Sequence, residues 1–271
     1  DSGTFLPLAT TLPPISPVAW SSFQTGVNPG KHNIFDFLNR DLRTYLPELS
    51  SARIVERTRT RWWERFSFGS GAIRLLRKSQ PFWKVLGDHG IFSTILRVPI
   101  TFPPEKFFGH SLSAMCVPDL RGTQGSFTLF TTDAAEAQVT TGGLRILVTA
   151  AADQIEAWLP GPPRPDRPAG ITSADFQALL RIRIQADRHQ IELHVGRERI
   201  TLKLNQESGW VRVKFNVGSL ARASGLCRFR LEALRPHFRL YVSPIHLDPE
   251  RPAMPISHPL YYSMYLAWLH D

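Results

Sequence analysis

Between residues 178 and 242 apolar and polar side chains alternate with a period of two. This pattern constrains the chain more than any other feature. Leu180, Ile182 and Ile184 alternate with Arg181 and Arg183. The sets Ile191/Leu193/Val195, Ile200/Leu202/Leu204, Val211/Val213/Phe215 and Phe238/Leu240/Val242 repeat the pattern. Such spacing places one set on each face of a strand and cannot make one stripe on a helix. Gly196, Gly209 and Gly225 fall between several of these runs and predict short turns, hence antiparallel meanders. A β-sandwich or a strongly curved sheet is expected. Pro160, Pro162, Pro163, Pro165 and Pro168 read as a stiff exposed connection within it.

The rest of the chain reads differently. Residues 1–105 mix Pro-rich loops with helix-like and strand-like pieces, and residues 106–250 hold the alternating strands. Residues 251–271 open with Pro252, Pro255 and Pro259 and then read as a helix. Within the first zone, PFWKVLGDHGIFSTILRVPI predicts a short helix, a stop at Gly90 and an apolar strand from Ile91 to Ile100. A continuous apolar strand after a helix is the pattern of a buried parallel sheet. The fold class expected is therefore α/β, with a β-rich middle.

Composition removes several classes. With 42% hydrophobic residues among 271, the chain can bury a core without a metal or a disulfide to hold it. Two cysteines, Cys116 and Cys227, make no disulfide framework and no CxxC pair, so buried free thiols are expected. No apolar run approaches the ~18 residues of a membrane-spanning helix. The first residues, DSGTFLPLATTLPP, lack the basic stretch and apolar run of a secretory leader, which slightly favours a cytoplasmic setting. Neither GxGxxG nor GxxxxGK[ST] occurs. The net charge of +9 is compatible with an anionic ligand.

Chemistry concentrates between Thr11 and Phe37, TLPPISPVAWSSFQTGVNPGKHNIFDF. Pro13 and Pro14 hold the chain extended, so no helix begins before Ser16. Ser16 is the expected N-cap, with Pro17 at the first helical position and a stop near Gly26. A serine there has two readings. It is a plain cap, or it is a nucleophile at the positive end of a helix, where the dipole and free amides such as that of Val18 favour an alkoxide and a bound phosphate.

The same residues resemble the nucleophile region of the alkaline phosphatase superfamily, in its type I phosphodiesterase/nucleotide pyrophosphatase branch. The resemblance rests on Pro13-Pro14, Ser16, Thr25-Gly26, Pro29 and His32-Asn33-Ile34, with nine residues from Ser16 to Thr25. Bacterial phosphodiesterases of this branch are the nearest likeness, and VPITFPPE with VPDLRGTQGSFTLFTTD extends it. The resemblance implies part of an alkaline-phosphatase-like core over residues 1–105, an inserted antiparallel β-rich domain over 106–250, and a helix over 251–271 returning to the core. It implies metal-dependent hydrolysis of a phosphate ester, and of a diester in particular, through a phosphorylated Ser16. Two divalent ions, zinc or manganese, would flank a Ser16 that is both nucleophile and metal ligand.

In the nucleotide pyrophosphatases an Asn near the end of this segment helps to bind phosphate. Phe37 stands in its place, which points away from a nucleotide substrate. The family's first metal Asp and its later Asp and His ligands have no counterpart here. Asp88-His89-Gly90 lies too early, His246 with Asp248 and His270 with Asp271 read as surface groups, and Glu192 with His194 are two residues on one strand face. His32 is expected to hold the loop after the helix. These absences lead to the expectation that the 271 residues are an internal piece of a longer enzyme, without most metal ligands.

A second reading is a non-catalytic β-rich module. Arg181, Arg183, Arg212, Lys214, Arg228 and Arg230 would form one basic face for an anionic ligand or partner. Phe215, Phe229 and Phe238 fall on the apolar parity, so base stacking and a nucleic-acid role are not expected. Trp62 and Trp63 read as packing or as a substrate platform, and Asp119–Thr123 as a turn that could overhang a site.

Overall fold

A computed structural model describes residues 3–55, 72–113, 115–164, 175–218 and 222–269. The chain is mixed α/β and rich in strands. It divides into two compact units, one made of Asp1–Val117 with Pro255–Asp271 and the other of Pro118–Met254. The sequence reading set these divisions at 105/106 and 250/251. Trp62 and Trp63 lie outside the described residues.

The first unit begins with residues 3–14, which carry no regular structure and bend at Leu12 and Pro13. Helix α1 (Ser16–Thr25) follows and ends where Gly26 turns left-handed at φ 65°, its amide donating to the Ser22 carbonyl at 2.8 Å. A single turn, α2 (Pro29–His32), closes on Asn33, also left-handed. Strands β1 (Leu38–Arg40) and β2 (Pro47–Leu49) form a hairpin. Strands β3 (Ala52–Val55) and β4 (Ala72–Leu75) form another antiparallel pair. Helix α3 (Phe82–Asp88) stops before Gly90 at φ 75°, as its sequence predicts. Strand β5 (Ser93–Leu96) then pairs in parallel with β6 (Gly109–Leu112).

The strand expected from Ile91 to Ile100 is thus cut to four residues. Arg97 and Ile100 have φ of 56° and 61°, which no strand accommodates. Nor is β5 buried: its side chains alternate between half-buried and exposed.

The second unit carries β7 (Thr128–Thr131), α4 (Ala134–Ala137), β8 (Leu144–Leu147), β9 (Gln154–Pro160), β10 (Gln177–Gln185), β11 (Gln190–Val195) and β12 (Glu198–Lys203). Then follow β13 (Val211–Asn216), β14 (Arg222–Cys227), β15 (Phe229–Ala233), β16 (Arg239–Val242) and β17 (His246–Leu247). The sheet order β12-β11-β10-β9 is antiparallel throughout, with Leu180, Leu193 and Ile191 fully buried and Arg181 and Arg183 exposed. Period-two patterning predicts this arrangement. A second sheet runs β13-β14-β17 and a third β15-β16-β7-β8.

Three expectations fail in this unit. Strands β7 and β8 are parallel, joined through α4, so the unit is not all meander. Gly225 is no turn: it lies inside β14, where an added Cβ would stand 2.5 Å from Ile245 Cγ2 and 2.8 Å from the His246 carbonyl. Its role is close packing. Pro160 and Pro162 are buried rather than exposed, Pro160 ending β9; Pro165 and Pro168 lie outside the described residues.

The chain returns to the first unit with β18 (Ser257–His258), antiparallel to β6, and helix α5 (Tyr262–Trp268). The sheet order there is β18-β6-β5.

Candidate active site

Ser16 is the first helical residue of α1, one step inside the expected cap position. Ile15 is the cap, extended at φ −122° and ψ 150°, and no side chain caps the helix. The expectation of a capping serine is therefore corrected. Pro13 and Pro14 shape the approach: the Ile15 amide donates back to the Pro13 carbonyl at 3.0 Å. The Val18 amide is not free either, since it donates to the Ile15 carbonyl at 3.1 Å. What remains is an exposed primary hydroxyl at the positive end of a ten-residue helix.

The opposite face of α1 is anchored. Pro17, Val18, Ser21 and Gln24 are buried, and the Gln24 side-chain amide donates to the Pro99 carbonyl. The end of the helix is tied to the next turn through His32, which is completely buried. His32 Nδ1 accepts the Ile34 amide at 3.2 Å, and Nε2 lies 2.9 Å from Ser22 Oγ. An acceptor at Nδ1 places the proton on Nε2, so the ring donates to Ser22. A Ser–His contact of this length otherwise suggests a nucleophile and its base. Here the tautomer makes His32 a tether, and Ser22 is an acceptor.

Burial pushes the His32 pKa below its ordinary value, and the Arg77 guanidinium adds to this. Arg77 is itself buried, donating to the Ser79 carbonyl at 2.6 Å and pairing with Glu105. Burial lowers its pKa, against the opposing pull of Glu105. The Lys78 amide donates to the His32 carbonyl at 2.9 Å, so the segment after β4 braces the same corner. Sequence reading placed His32 in this role but not Ser22, Gln24 or Arg77. A buried arginine outside the motif leaves no pattern in the chain.

Asp88 and His89 are exposed at the C-terminal end of α3. Asp248 is fully buried, accepting from Ser224 Oγ at 2.7 Å and from the Glu250 amide at 3.1 Å, and it forms an ion pair with Arg212, whose Nε lies 3.0 Å away. His246 is exposed and meets the Trp210 ring edge-on at 5.4 Å. Reading Asp248 as a surface group is thereby corrected: its carboxylate is committed to Ser224 and Arg212. Glu192 accepts from Gln185 at 2.9 Å, and His194 faces Arg181 and Arg199 across the sheet. His270 and Asp271 lie outside the described residues. Among the described residues no group of three or more His, Cys, Asp or Glu could hold a metal ion. The donors present therefore do not fit a two-metal centre.

Phe37 is half exposed ahead of β1. Asp119 is buried, and its carboxylate accepts the Arg121 amide at 3.0 Å, the Thr123 amide at 2.8 Å and the Thr123 hydroxyl. The Asp119 carboxylate is thus spent on holding its own turn. Cys116 and Cys227 are free thiols, and burial pushes Cys227 up to about 12.

The single basic face does not form. Arg181 and Arg183 lie on β10, Arg212 and Lys214 on β13, and Arg230 on β15, in three different sheets. Arg181 pairs with Glu156 at 3.0 Å, Arg212 with Asp248 and Glu250, and Arg228 with Glu207 at 2.9 Å. Carboxylates from β9 and from loops pair with several of these arginines and break up the charge that the sequence stacks on one side. Phe215, Phe229 and Phe238 are buried, as their parity predicts.

No described helix is long and apolar enough to cross a membrane. No curated protein and no solved structure matches the chain. The family model for type I phosphodiesterase / nucleotide pyrophosphatase matches residues 1–140, which takes in the Pro13-Pro14 approach, Ser16, α1 and the His32 corner. With more than half of its residues in that match, the chain belongs to the type I phosphodiesterase / nucleotide pyrophosphatase family.

Proposed function

We propose that this chain carries the nucleophile segment of a phosphate-ester hydrolase, and of a phosphodiesterase in particular, with Ser16 as the nucleophile. The observation that carries the reading is the exposed Ser16 hydroxyl at the start of α1, inside the segment matched to the family. Its Oγ attacks phosphorus and gives up its proton to solvent, the bond to the leaving alcohol breaks, and that oxygen takes a proton from water. A second water then cleaves the Ser16–phosphoryl bond and frees the hydroxyl. The helix dipole favours the negative charge that gathers there. The anchored face of α1 and the His32 tether keep Ser16 in place through both steps.

Zinc or manganese, and a role for Ser16 as metal ligand, belong to the same reading through the family alone. The described residues do not assemble the remaining ligands, and no step is derived through a metal. The finer fold reading, an alkaline-phosphatase-like core interrupted by an inserted β domain, draws support from two features. The first unit is built from two chain segments that flank the second, and β5 pairs with β6 in parallel.

The test is hydrolysis of bis(p-nitrophenyl) phosphate with added zinc or manganese by this chain and by Ser16→Ala. Turnover that falls by at least ~10³-fold in the variant supports the assignment. The variant should keep its unfolding midpoint, because Ser16 caps nothing. Turnover retained in Ser16→Ala overturns it.

A further inference from the structure

The turn at residues 119–123 holds a guanidinium that no described residue engages. Its backbone is fixed: the Leu120 amide donates to the Ile245 carbonyl at 2.7 Å, and the Asp119 carboxylate takes the Arg121 and Thr123 amides. The Arg121 side chain is half-buried, and its Nε and Nη1 are shut off from solvent without an acceptor. Arg77, Arg145, Arg228 and Arg239 also bury an Nε that makes no hydrogen bond. Each of these spends its terminal nitrogens elsewhere. Arg77 gives them to Glu105 and the Ser79 carbonyl, Arg145 to the Thr141 carbonyl, Arg228 to Glu207, and Arg239 to Glu136 and Glu232. Arg121 has no such outlet among the described residues. A guanidinium cannot shed its proton to escape the cost of burial, so an oxyanion is the group that removes it.

The nearest carboxylate does not fill that place. Burial pushes the Asp175 pKa up and the charge of Arg121 pulls it down by less, so each lies in the field of the other. Yet no ion pair joins them. We propose that Arg121 and Asp175 together hold a phosphoryl group, Arg121 donating to its anionic oxygens and Asp175 accepting from its P–OH.

A cation beside an unpaired carboxylate decides the class of ligand. A carboxylate or sulfate offers acceptors alone, and its oxygens would meet Asp175 as like charges. Inorganic phosphate and phosphate monoesters carry a P–OH as well while they are singly charged, below a second pKa of about 6 for the esters. A diester has lost that hydroxyl and should bind as poorly as sulfate. Both residues belong to the second unit, and their role holds whether or not Ser16 is a nucleophile.

Isothermal titration calorimetry on the 271-residue chain at pH 5.5 tests the site. Inorganic phosphate should bind at least about tenfold more tightly than sulfate or dimethyl phosphate, the difference one hydrogen bond to a charged group makes. Arg121→Gln should weaken phosphate binding by at least about tenfold with an unchanged circular dichroism spectrum, and Arg121→Lys should recover part of the loss. Asp175→Asn should remove the preference for phosphate over sulfate. In the parent itself, phosphate should shift the Arg121 Nε–H and Asp175 amide resonances, and sulfate should leave both in place. Glycerol phosphate separates two sources of the group: tighter binding than inorganic phosphate assigns the site to a monoester, weaker binding to the free ion. The proposal is overturned by a parent chain that takes up no phosphate at millimolar concentrations, or that binds sulfate equally well. It is also overturned if Arg121→Gln binds phosphate as tightly as the parent, which would place the anion elsewhere, beside Ser16 for example.

Discussion

The two units solve the same problem to different extents. In the β12-β11-β10-β9 sheet of the second unit, Leu180, Ile191 and Leu193 are fully buried on one face. On the other, Arg181 is paired with Glu156 and Gln185 with Glu192. In the β18-β6-β5 sheet of the first unit, apolar groups stand in solvent: Leu96 is 51% exposed and Phe108 53%. Antiparallel meanders can present a polar face to water, whereas a parallel pair cannot do so without cover. The β12-β11-β10-β9 sheet thus buries its alternating aliphatics on one face and pairs charges on the other, whereas β5 keeps Leu96 in solvent.

The widest separation between the units should come from aromatic truncation. Phe215 lies fully buried, and its ring would touch a Cβ placed at Gly161. Phe215→Ala should cost about 3–5 kcal/mol, and Trp268→Ala on the open face less than about 1 kcal/mol. Urea unfolding followed by circular dichroism reads both. Equal losses would mean that the two surfaces are equally packed.

Ion pairs offer the next contrast. Asp248→Asn removes the charge that Arg212 shares between Asp248 and Glu250 and weakens the buried acceptor for Ser224, at a cost of about 1–3 kcal/mol. Glu156→Gln breaks an exposed pair with Arg181 and should cost under about 1 kcal/mol. Unfolding midpoints within error of each other would erase the distinction.

The smallest effect is expected at the His32 corner. Its pKa is lowered in the folded chain, so the unfolded chain takes up the proton first as pH falls below 6.5. The contribution of neutral His32 is complete above that pH. It declines as pH drops from 6.5 toward the folded-state value. Urea midpoints at pH 7.5 and 5.5 should differ more in the parent than in His32→Gln. Identical pH dependence would show that His32 does not carry the effect.

How much of this was legible in the chain depends on distance along it. Alternation over residues 178–242 marks the strands, because burial on one face is written residue by residue. The helix at Ser16–Thr25 and its stop at Gly26 follow from Pro17 and from the left-handed φ that glycine permits. The Thr11–Phe37 motif led to the family before any fold was in view. Gly225 was misread because a strand glycine and a turn glycine look alike until Ile245, distant in sequence, is placed beside it. The expected basic face failed for a similar reason. Glu250, which pairs with Arg212, is remote in the chain from the residue it neutralises.

By itself, then, the sequence determined the local conformations and the segment that bears the chemistry, since sterics, capping and period-two burial act between near neighbours. The tertiary structure alone decided which polar groups are spent on each other: His32 on Ser22, Asp248 on Arg212 and Ser224, Gln24 on the Pro99 carbonyl. It also decided that β5 pairs in parallel with β6, which lies next to β18 from the far end of the chain. These are pairings between distant segments, and their free energy is set by burial and geometry that no local pattern encodes.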